Sequence, residues 1–559
     1  MLRSRSAAVA ALLGLGLAGV AAPAIAHGRA PHPSHPSPAA SSAPRADKVT
    51  VSGGVTSVLT PLANDPKGLQ LVSSSGAKHG TVTPQADGSF LYTPAKGFRG
   101  TDTFTYTTTD AARLYATDVA PLGKVGDVEI SGGAYGSAVV AKPGSDDIVY
   151  GLTDRGPNVD GPGGVKVEPL PSFTPAIGEF RLGADGRATL LRTIPLKAKD
   201  GSPLNGLENP QASAGETIVG MDGQTLPTSA NGLDSEGLVA AKDGTFWVSD
   251  EYGPFVVHVD RNGKELERLS PFDGSLPREL KFREPNKGME GLTVTPDGKT
   301  LVGIMQAALT IDGAHQAKSK NIPFTRIVTI DLATRATHEY AYVLDDPAAN
   351  GTAVSEITAV SATRFLVDER DGAAEPGAYK KVYEIDLAKA TDIGPAAKVA
   401  GAHYDATYGL EVPGTSTGVG PLEYLFTDKS QSPDGAAILR AAGITPVAKS
   451  LSLDLGALVT TLDATGGFFG HDKVEGIDLL DGGTKLLVSN DSDFGIDGLS
   501  DADGEASTDV EPPFALHTKL QPNGRQDDGE YLVVDLAKAK AVLAGKDAPR
   551  TATVTVTVR

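Results

Sequence analysis

Carboxylates recur at one place in a repeated pattern along this chain. A Glu is followed by glycine or another small residue and an apolar residue. A DG or GG turn comes next, then four or five mainly apolar residues, then a polar or acidic end. D-S-E-G-L leads through K-D-G to T-F-W-V-S-D-E, and K-G-M-E-G-L leads through P-D-G to T-L-V-G-I-M-Q. V-S-E-I-T leads to T-R-F-L-V-D-E-R-D-G, and K-V-E-G-I-D leads through D-G-G to K-L-L-V-S-N-D. The leading glutamates are Glu236, Glu290, Glu356 and Glu475. The far ends carry Asp250/Glu251, Gln306, Asp368/Glu369 and Asn490/Asp491. An earlier, degenerate copy ends at Asp154/Arg155 and has Ser137 where the glutamate would stand.

If these positions are equivalent, four glutamates meet around one axis. Like charges a few ångströms apart repel by roughly 1 kcal/mol in water and about 4 kcal/mol at an effective dielectric near 20. Protons or cations must compensate. Carboxylate and carbonyl oxygens suit Ca²⁺, and the expected ligands are Glu236, Asp250, Glu290, Glu356, Glu475, Asn490 and Asp491. Arg155, Lys287, Arg370 and Lys473 stand beside the same repeat positions and are expected to grip a substrate anion. A cation with basic neighbours is what phosphate-ester hydrolysis needs, because both stabilise charge on the phosphoryl oxygens. Glu236, Glu290 and Glu251 are the expected catalytic carboxylates. His471, two residues before Lys473, is an expected general base.

The strands that must position these groups are short. Gly 66 and Pro 38 favour many strands joined by turns. The glutamates are 54, 66 and 119 residues apart. The last step is about twice the others, so a blade without the glutamate is expected near 409–428. With the copy at 137 that makes six. Strand repeats of about 40–60 residues are the signature of a β-propeller, whose innermost strands line a central channel. Trp247 is expected in the core. The long insertions, 156–230 and 495–528, are expected to carry binding loops.

The lines D-S-E-G-L…D-G-T-F-W-V-S-D-E-Y-G-P, N-K-G-M-E-G-L-T-V-T-P-D-G-K-T-L and H-D-K-V-E-G-I-D…V-S-N-D-S-D-F-G resemble the "esterase-like activity of phytase" family. The resemblance spans roughly 120–540. It implies a secreted six-bladed propeller that hydrolyses phosphate or other esters. Residues 48–110 alternate apolar and polar positions. Their L-A-N-D-P, H-G-T-V-T-P-Q-A-D-G-S-F-L-Y-T-P and F-R-G-T-D-T-F-T-Y beats resemble a bacterial cadherin-like or Ig-like tandem-repeat module. That implies a small β-sandwich used as a spacer or for cell-surface or glycan contact.

The expected organisation is therefore an all-β chain: signal peptide 1–26, a Pro/Ser/Ala linker 27–47, the Ig-like module 48–110 and the propeller 119–559. The leader rests on Arg3 and Arg5, an apolar run from Ala7 to Ala22, and an A-I-A site before His27. It implies export, with no membrane span in the mature chain. Net charge −19 disfavours nucleic acid and anionic membranes as partners, and zero cysteines exclude disulfides and a thiol nucleophile. No G-x-S-x-G elbow occurs. The leading reading is a Ca²⁺-assisted hydrolase of a small anionic ester at the channel mouth. Its alternatives are a Ca²⁺-dependent lactonase-type propeller and a non-catalytic extracellular binding or adhesion protein.

Overall fold

The computed structural model describes residues 43–85, 87–212, 215–427 and 435–559, so the expected signal peptide lies outside the described residues. From residue 43 onward the chain forms one compact unit. Its larger part is all-β and propeller-like, with five four-stranded antiparallel blades. Their innermost strands are Ala138–Ala141, Ser235–Ala240, Met289–Val294, Ala353–Ala359 and Val474–Leu480. Each packs against the next, and the last packs against the first, so the ring is closed. Apolar side chains fill every junction. Leu238 and Phe246 face Leu152 and Ile177, Trp247 sits with Leu292 and Val328, and Val302 packs with Ile357 and Phe365. Leu366 meets Ile477, and Leu487 meets Val139.

The glycine after the glutamate has a steric cause. A Cβ on Gly237 would lie 2.6 Å from the Leu292 nitrogen, and one on Gly476 would lie 2.5 Å from the Val139 nitrogen. Neighbouring inner strands come too close there for any side chain.

Six blades were expected, and the described residues make five. The 119-residue step between Glu356 and Glu475 does not hide a blade. It holds an insertion between the third and fourth strands of one blade, Lys380–Asp386 and Ala448–Asp454. Within it, His403–Asp405, Gly409–Thr415 and Gly418–Pro421 form a separate three-stranded sheet. That sheet buries Leu410 and Val412 against Ile322 and against Phe324 and Ala341 of the outer strands of the third blade.

Two strands tie the N-terminal region and the propeller together. Ala112–Asp118 is the outer strand of the last blade, beside Glu530–Asp535. It also pairs in parallel with Arg187–Pro195 of the first blade, which joins the two blades into one eight-stranded sheet. In return, Arg550–Val558 leaves the propeller. It lies between Asp47–Val51 and Gly100–Thr109 of the N-terminal region. There Val554 and Val556 share a core with Phe90, Tyr92, Phe104 and Tyr106, enclosed by this sheet and the sheet of Ser57–Leu59, Phe90–Pro94 and Gly80–Pro84. The alternating T-V-T-V-T-V ending suits that half-buried position.

The insertions at 156–230 and 495–528 meet each other. Val159, Val167 and Val219 of the first share a core with Ile496, Leu499 and Leu516 of the second. Among the described residues no helix is long and apolar enough to cross a membrane.

Candidate functional site

Strand register places two tiers of side chains at one end of the channel. Ser235 pairs with Asp250, Met289 with Met305, Val354 with Glu369, and Val474 with Asn490. The residue after each inner-strand member gives the first tier: Glu236, Glu290, Ser355 and Glu475. The residue after each partner gives the second: Glu251, Gln306, Arg370 and Asp491. In the first blade Ala138 pairs with Leu152, which puts Ser137 and Asp154 at the same two positions.

A cavity of 420 Å³ opens here. Its wall includes Asp154, Asp234, Glu236, Glu251, Glu290, Glu475 and Asp491, with Arg155, Lys287, Arg370 and Lys473. The insertions supply Asp160, Lys166, Ile496 and Asp497. In all, eleven carboxylates and five basic groups line it. One carboxylate oxygen from each of Asp234, Glu236 and Glu251 lies within 4.8 Å of the others, a spacing that fits a metal ion. Glu251 accepts a hydrogen bond from Gln306 Nε2 at 2.9 Å. Glu290 Oε2 is buried with no hydrogen-bond partner among the described residues.

This crowding shifts proton affinities. Burial, then Asp234 and Glu290, holds the Glu236 carboxyl well above the usual carboxylate range. Burial and Glu290 do the same to Glu251. Burial and Glu475 push Glu290 up to about 8, and burial raises Asp491 to about 7 despite Lys473. Burial, Asp491 and Asp234 hold Asp154 well up.

The basic groups are all engaged. Arg155 donates to Tyr252 Oη at 2.7 Å and to Asn158 Oδ1 at 3.0 Å, and lies 3.8 Å from Asp234. Arg370 donates to Glu475 and to Ser355 Oγ. Lys473 Nζ reaches Asp491 at 2.9 Å and Asp493 at 2.5 Å. Lys287 lies 3.4 Å from Glu284.

Four expected site residues lie elsewhere. Glu356 stands one position too late, where other blades have the glycine. A one-residue offset turns a strand side chain to the other face. Its Oε1 therefore accepts from the Leu292 and Ile357 nitrogens, at 2.9 and 2.8 Å. It lines a separate cavity, walled also by Asp478 and Pro296. Asp250 is fully buried, and its Oδ1 accepts from the Asp234 and Tyr252 nitrogens, fixing the loop behind the cavity. Asn490 is spent on backbone: Nδ2 donates to the Asp528 carbonyl, and Oδ1 accepts from the Glu530 nitrogen. His471 is buried between Asp527 (2.8 Å) and Glu530 (3.0 Å). Burial disfavours its charge, yet the two carboxylates outweigh that and push it up to about 10. A group held as a cation is no base at neutral pH.

The expected ligand and catalytic sets lacked Asp154, Asp234, Asp472 and Asp493, all on the cavity wall. Asp234 was legible as the first acid of D-S-E-G-L, and Asp154 as the end of the degenerate copy. Asp493 stands in the acid-rich D-S-D-F-G run, outside the repeated pattern.

Residues 131–494 match the family model of phytase-like proteins, described as the esterase-like activity of phytase. The chain belongs to the phytase-like family. Residues 38–122 of this phytase-like chain match a bacterial Ig domain. An uncharacterized secreted protein of Arthroderma benhamiae is 32% identical over an alignment covering 33% of this chain and 46% of that one. The chain thus spans about half the length of that curated relative. Solved structures with some likeness include Kuenenia stuttgartiensis hydrazine synthase, at 12% identity over 74% of this chain and 92% of that one, TM-score 0.24. The Dos1 propeller gives 10% identity, 67% and 70% coverage and TM-score 0.26. Virginiamycin B lyase from Staphylococcus aureus gives 12% identity, 76% and 99% coverage and TM-score 0.26. At such scores the topology rests on the strand pairings of the phytase-like chain itself.

Proposed function

We propose that this phytase-like protein is a secreted, cation-dependent hydrolase of phosphate esters or related anionic esters, working in the acidic cavity. One observation carries the reading. Eleven carboxylates surround five already-paired basic groups, and Glu290 among them keeps a buried oxygen unpartnered. Such a pocket repels any anion until a cation enters. Asp234, Glu236 and Glu251 fit that cation. They offer hard oxygen donors, lie close together, and are buried from competing water. Ca²⁺ is the proposed ion. When bound, it supplies charge neutralisation and Lewis-acid polarisation of the ester.

The chain's own groups do the rest. Gln306 orients Glu251 by its amide hydrogen bond. Glu290, with its free oxygen and raised proton affinity, holds a proton near neutrality and can pass it to a departing alkoxide. Arg370 and Lys473 lie on the blades opposite the acidic trio and supply positive charge to the ester's outer oxygens. The two joined insertions narrow the mouth. Secretion is supported by the leader-like N-terminus and by the secreted fungal relative.

The test is direct. Purified protein is assayed on p-nitrophenyl phosphate, a phosphodiester and a lactone, with and without chelator. Turnover of a phosphate ester that falls with chelator and returns with Ca²⁺ is expected. Chelator-insensitive turnover, or turnover of the lactone alone, would sink the proposal.

A further inference from the structure

A larger cavity than the one beside Glu356 is also left unused by the hydrolase reading. It measures 490 Å³, within the range of about 300–1,000 Å³ typical of small-molecule sites. It lies between the N-terminal Ig-like region and the propeller. Leu71, Ser73, Val82 and Thr83 wall it on one side, and Asn523, Arg525 and Glu530 on the other. The strand exchange described above holds both walls in one body, so the cleft is a built feature rather than a gap beside a tethered spacer.

Glu530 gives it chemistry. The residue is buried, at 5% exposure. Its Oε2 is held by His471 Nε2 at 3.0 Å. Behind His471 runs a row of alternating charges. His471 meets Asp527 at 2.8 Å, Lys519 lies 3.4 Å from Asp527 and 2.6 Å from Asp493, and Asp493 meets Lys473. The row pins the Glu530 carboxylate from behind. Among the described residues, no hydrogen bond to its other oxygen, Oε1, is made. A pre-oriented carboxylate with a free oxygen, on a cavity wall shared with a guanidinium and an amide, has a definite preference. Asp463 lines the same wall, its Oδ1 taken by Thr465, so two carboxylates turn away anions while Arg525 opposes a compact cation. A neutral group that both donates and accepts fits this wall: a vicinal diol gives one O–H to Glu530 and takes N–H from Arg525. The hydroxyls of Ser73 and Thr83 extend that pattern, and Leu71 and Val82 offer an apolar surface for C–H faces.

We propose that this interdomain cleft binds a neutral saccharide, with Glu530 as its anchoring acceptor. The cleft is separate from the acidic cavity, and only the row of charges behind Glu530 reaches that cavity's wall, at Asp493 and Lys473. Isothermal titration of the full chain with cello-, malto-, xylo- and chitotetraose, each to about 10 mM, tests it at the weak end of affinity. At least one sugar is expected to bind. Arg525→Ala is expected to weaken it about tenfold, the loss of roughly one good hydrogen bond, with the melting temperature and ester turnover unchanged. The position is exposed, so the variant does not endanger folding. No binding by any of the four sugars overturns the proposal. So does binding that Arg525→Ala leaves untouched, or an extended heptapeptide that binds where no sugar does.

Discussion

Arg370 donates to Glu475 across the junction of the fourth and fifth blades, so a cation of the second tier neutralises a carboxylate of the first. Four blades of the second tier carry Asp154, Glu251, Gln306 and Asp491; only the fourth carries a base. Both partners are nearly buried, at 13% and 6% side-chain exposure. Arg370→Ala leaves Glu475 beside Glu290 without its hydrogen-bonded partner. Removing one member of a buried pair costs about 3–5 kcal/mol. Urea denaturation at pH 7 is expected to show a loss in that range. Arg370→Met/Glu475→Leu together should recover most of it, because both charges are then gone. A single variant as stable as wild type would show that the pair is solvated.

The displaced glutamate supports a second expectation. Glu356 satisfies two backbone N–H groups between the third and fourth blades and does not line the acidic cavity. Glu356→Ala therefore strands two buried donors, at about 1–3 kcal/mol, while kcat and Ca²⁺ affinity stay near wild type. Glu236→Gln is expected to do the reverse: Ca²⁺ affinity falls at least about tenfold, and folding holds. Calcium titration and denaturation of both variants check the contrast. Equal loss of Ca²⁺ affinity in both would return Glu356 to the site.

This contrast also marks where the sequence was legible. The Glu-Gly-apolar pattern named three of the five first-tier positions, because the glycine is required by close strand approach and fixes the register. In V-S-E-I-T that glycine is absent, so nothing in the letters shows that Ser355, and not Glu356, is the equivalent residue. The blade count failed for a related reason. A repeat interval cannot distinguish a degenerate blade from an insertion inside one. The exchange of Ala112–Asp118 and Arg550–Val558 between the two parts was hidden because strand pairing at a separation above 400 residues leaves no local mark. The insertions, expected to carry binding loops, contribute Asp160, Lys166, Ile496 and Asp497 to the cavity wall.

His471 supports a third expectation, through its sign. Its proton affinity is raised from the ordinary histidine value of 6.5 to about 10 by Asp527 and Glu530, against the cost of burial. The imidazolium's stabilisation is therefore complete below pH 6.5 and is lost as pH rises towards 10. Histidine side-chain NMR should show no titration of this ring between pH 5 and 8. A ring that titrates near 6.5 would contradict the pairing. His471→Gln keeps two hydrogen-bonding groups but not the charge, and is expected to lower stability at pH 7 more than at pH 10.

The acidic cavity implies an opposite pH effect of metal removal. Glu290 is raised to about 8, and Asp491 and Asp250 to about 7, mainly by burial. These acids bind protons more tightly folded than unfolded. Their contribution is complete below the unfolded carboxylate range, near pH 4, and is lost as pH rises through 7 to 8. Metal-free protein should therefore lose thermal stability from pH 5 to 8. Added Ca²⁺ competes with those protons, so the rise in Tm it produces should grow over the same interval. Scanning calorimetry with and without chelator reads both slopes. A Ca²⁺ effect that shrinks with pH would place the ion elsewhere.

The C-terminal strand supports the last expectation. Arg550–Val558 is an interior strand of its sheet, paired on both sides, and Val554 and Val556 are fully buried. Deleting residues 550–559 exposes two strand edges and empties the middle of a small core, which the rest of the N-terminal region cannot refill. The propeller ring receives no strand from this segment, and its inner strands close on one another without it. The truncated chain is thus expected to keep ester turnover and Ca²⁺ binding while residues 48–110 become the first site of protease cleavage. Val554→Asp, which places a charge in the same core, should reproduce that pattern in a full-length chain. Cleavage that begins in the blades instead would mean that the two parts fold as one cooperative body, with the C-terminal strand holding both.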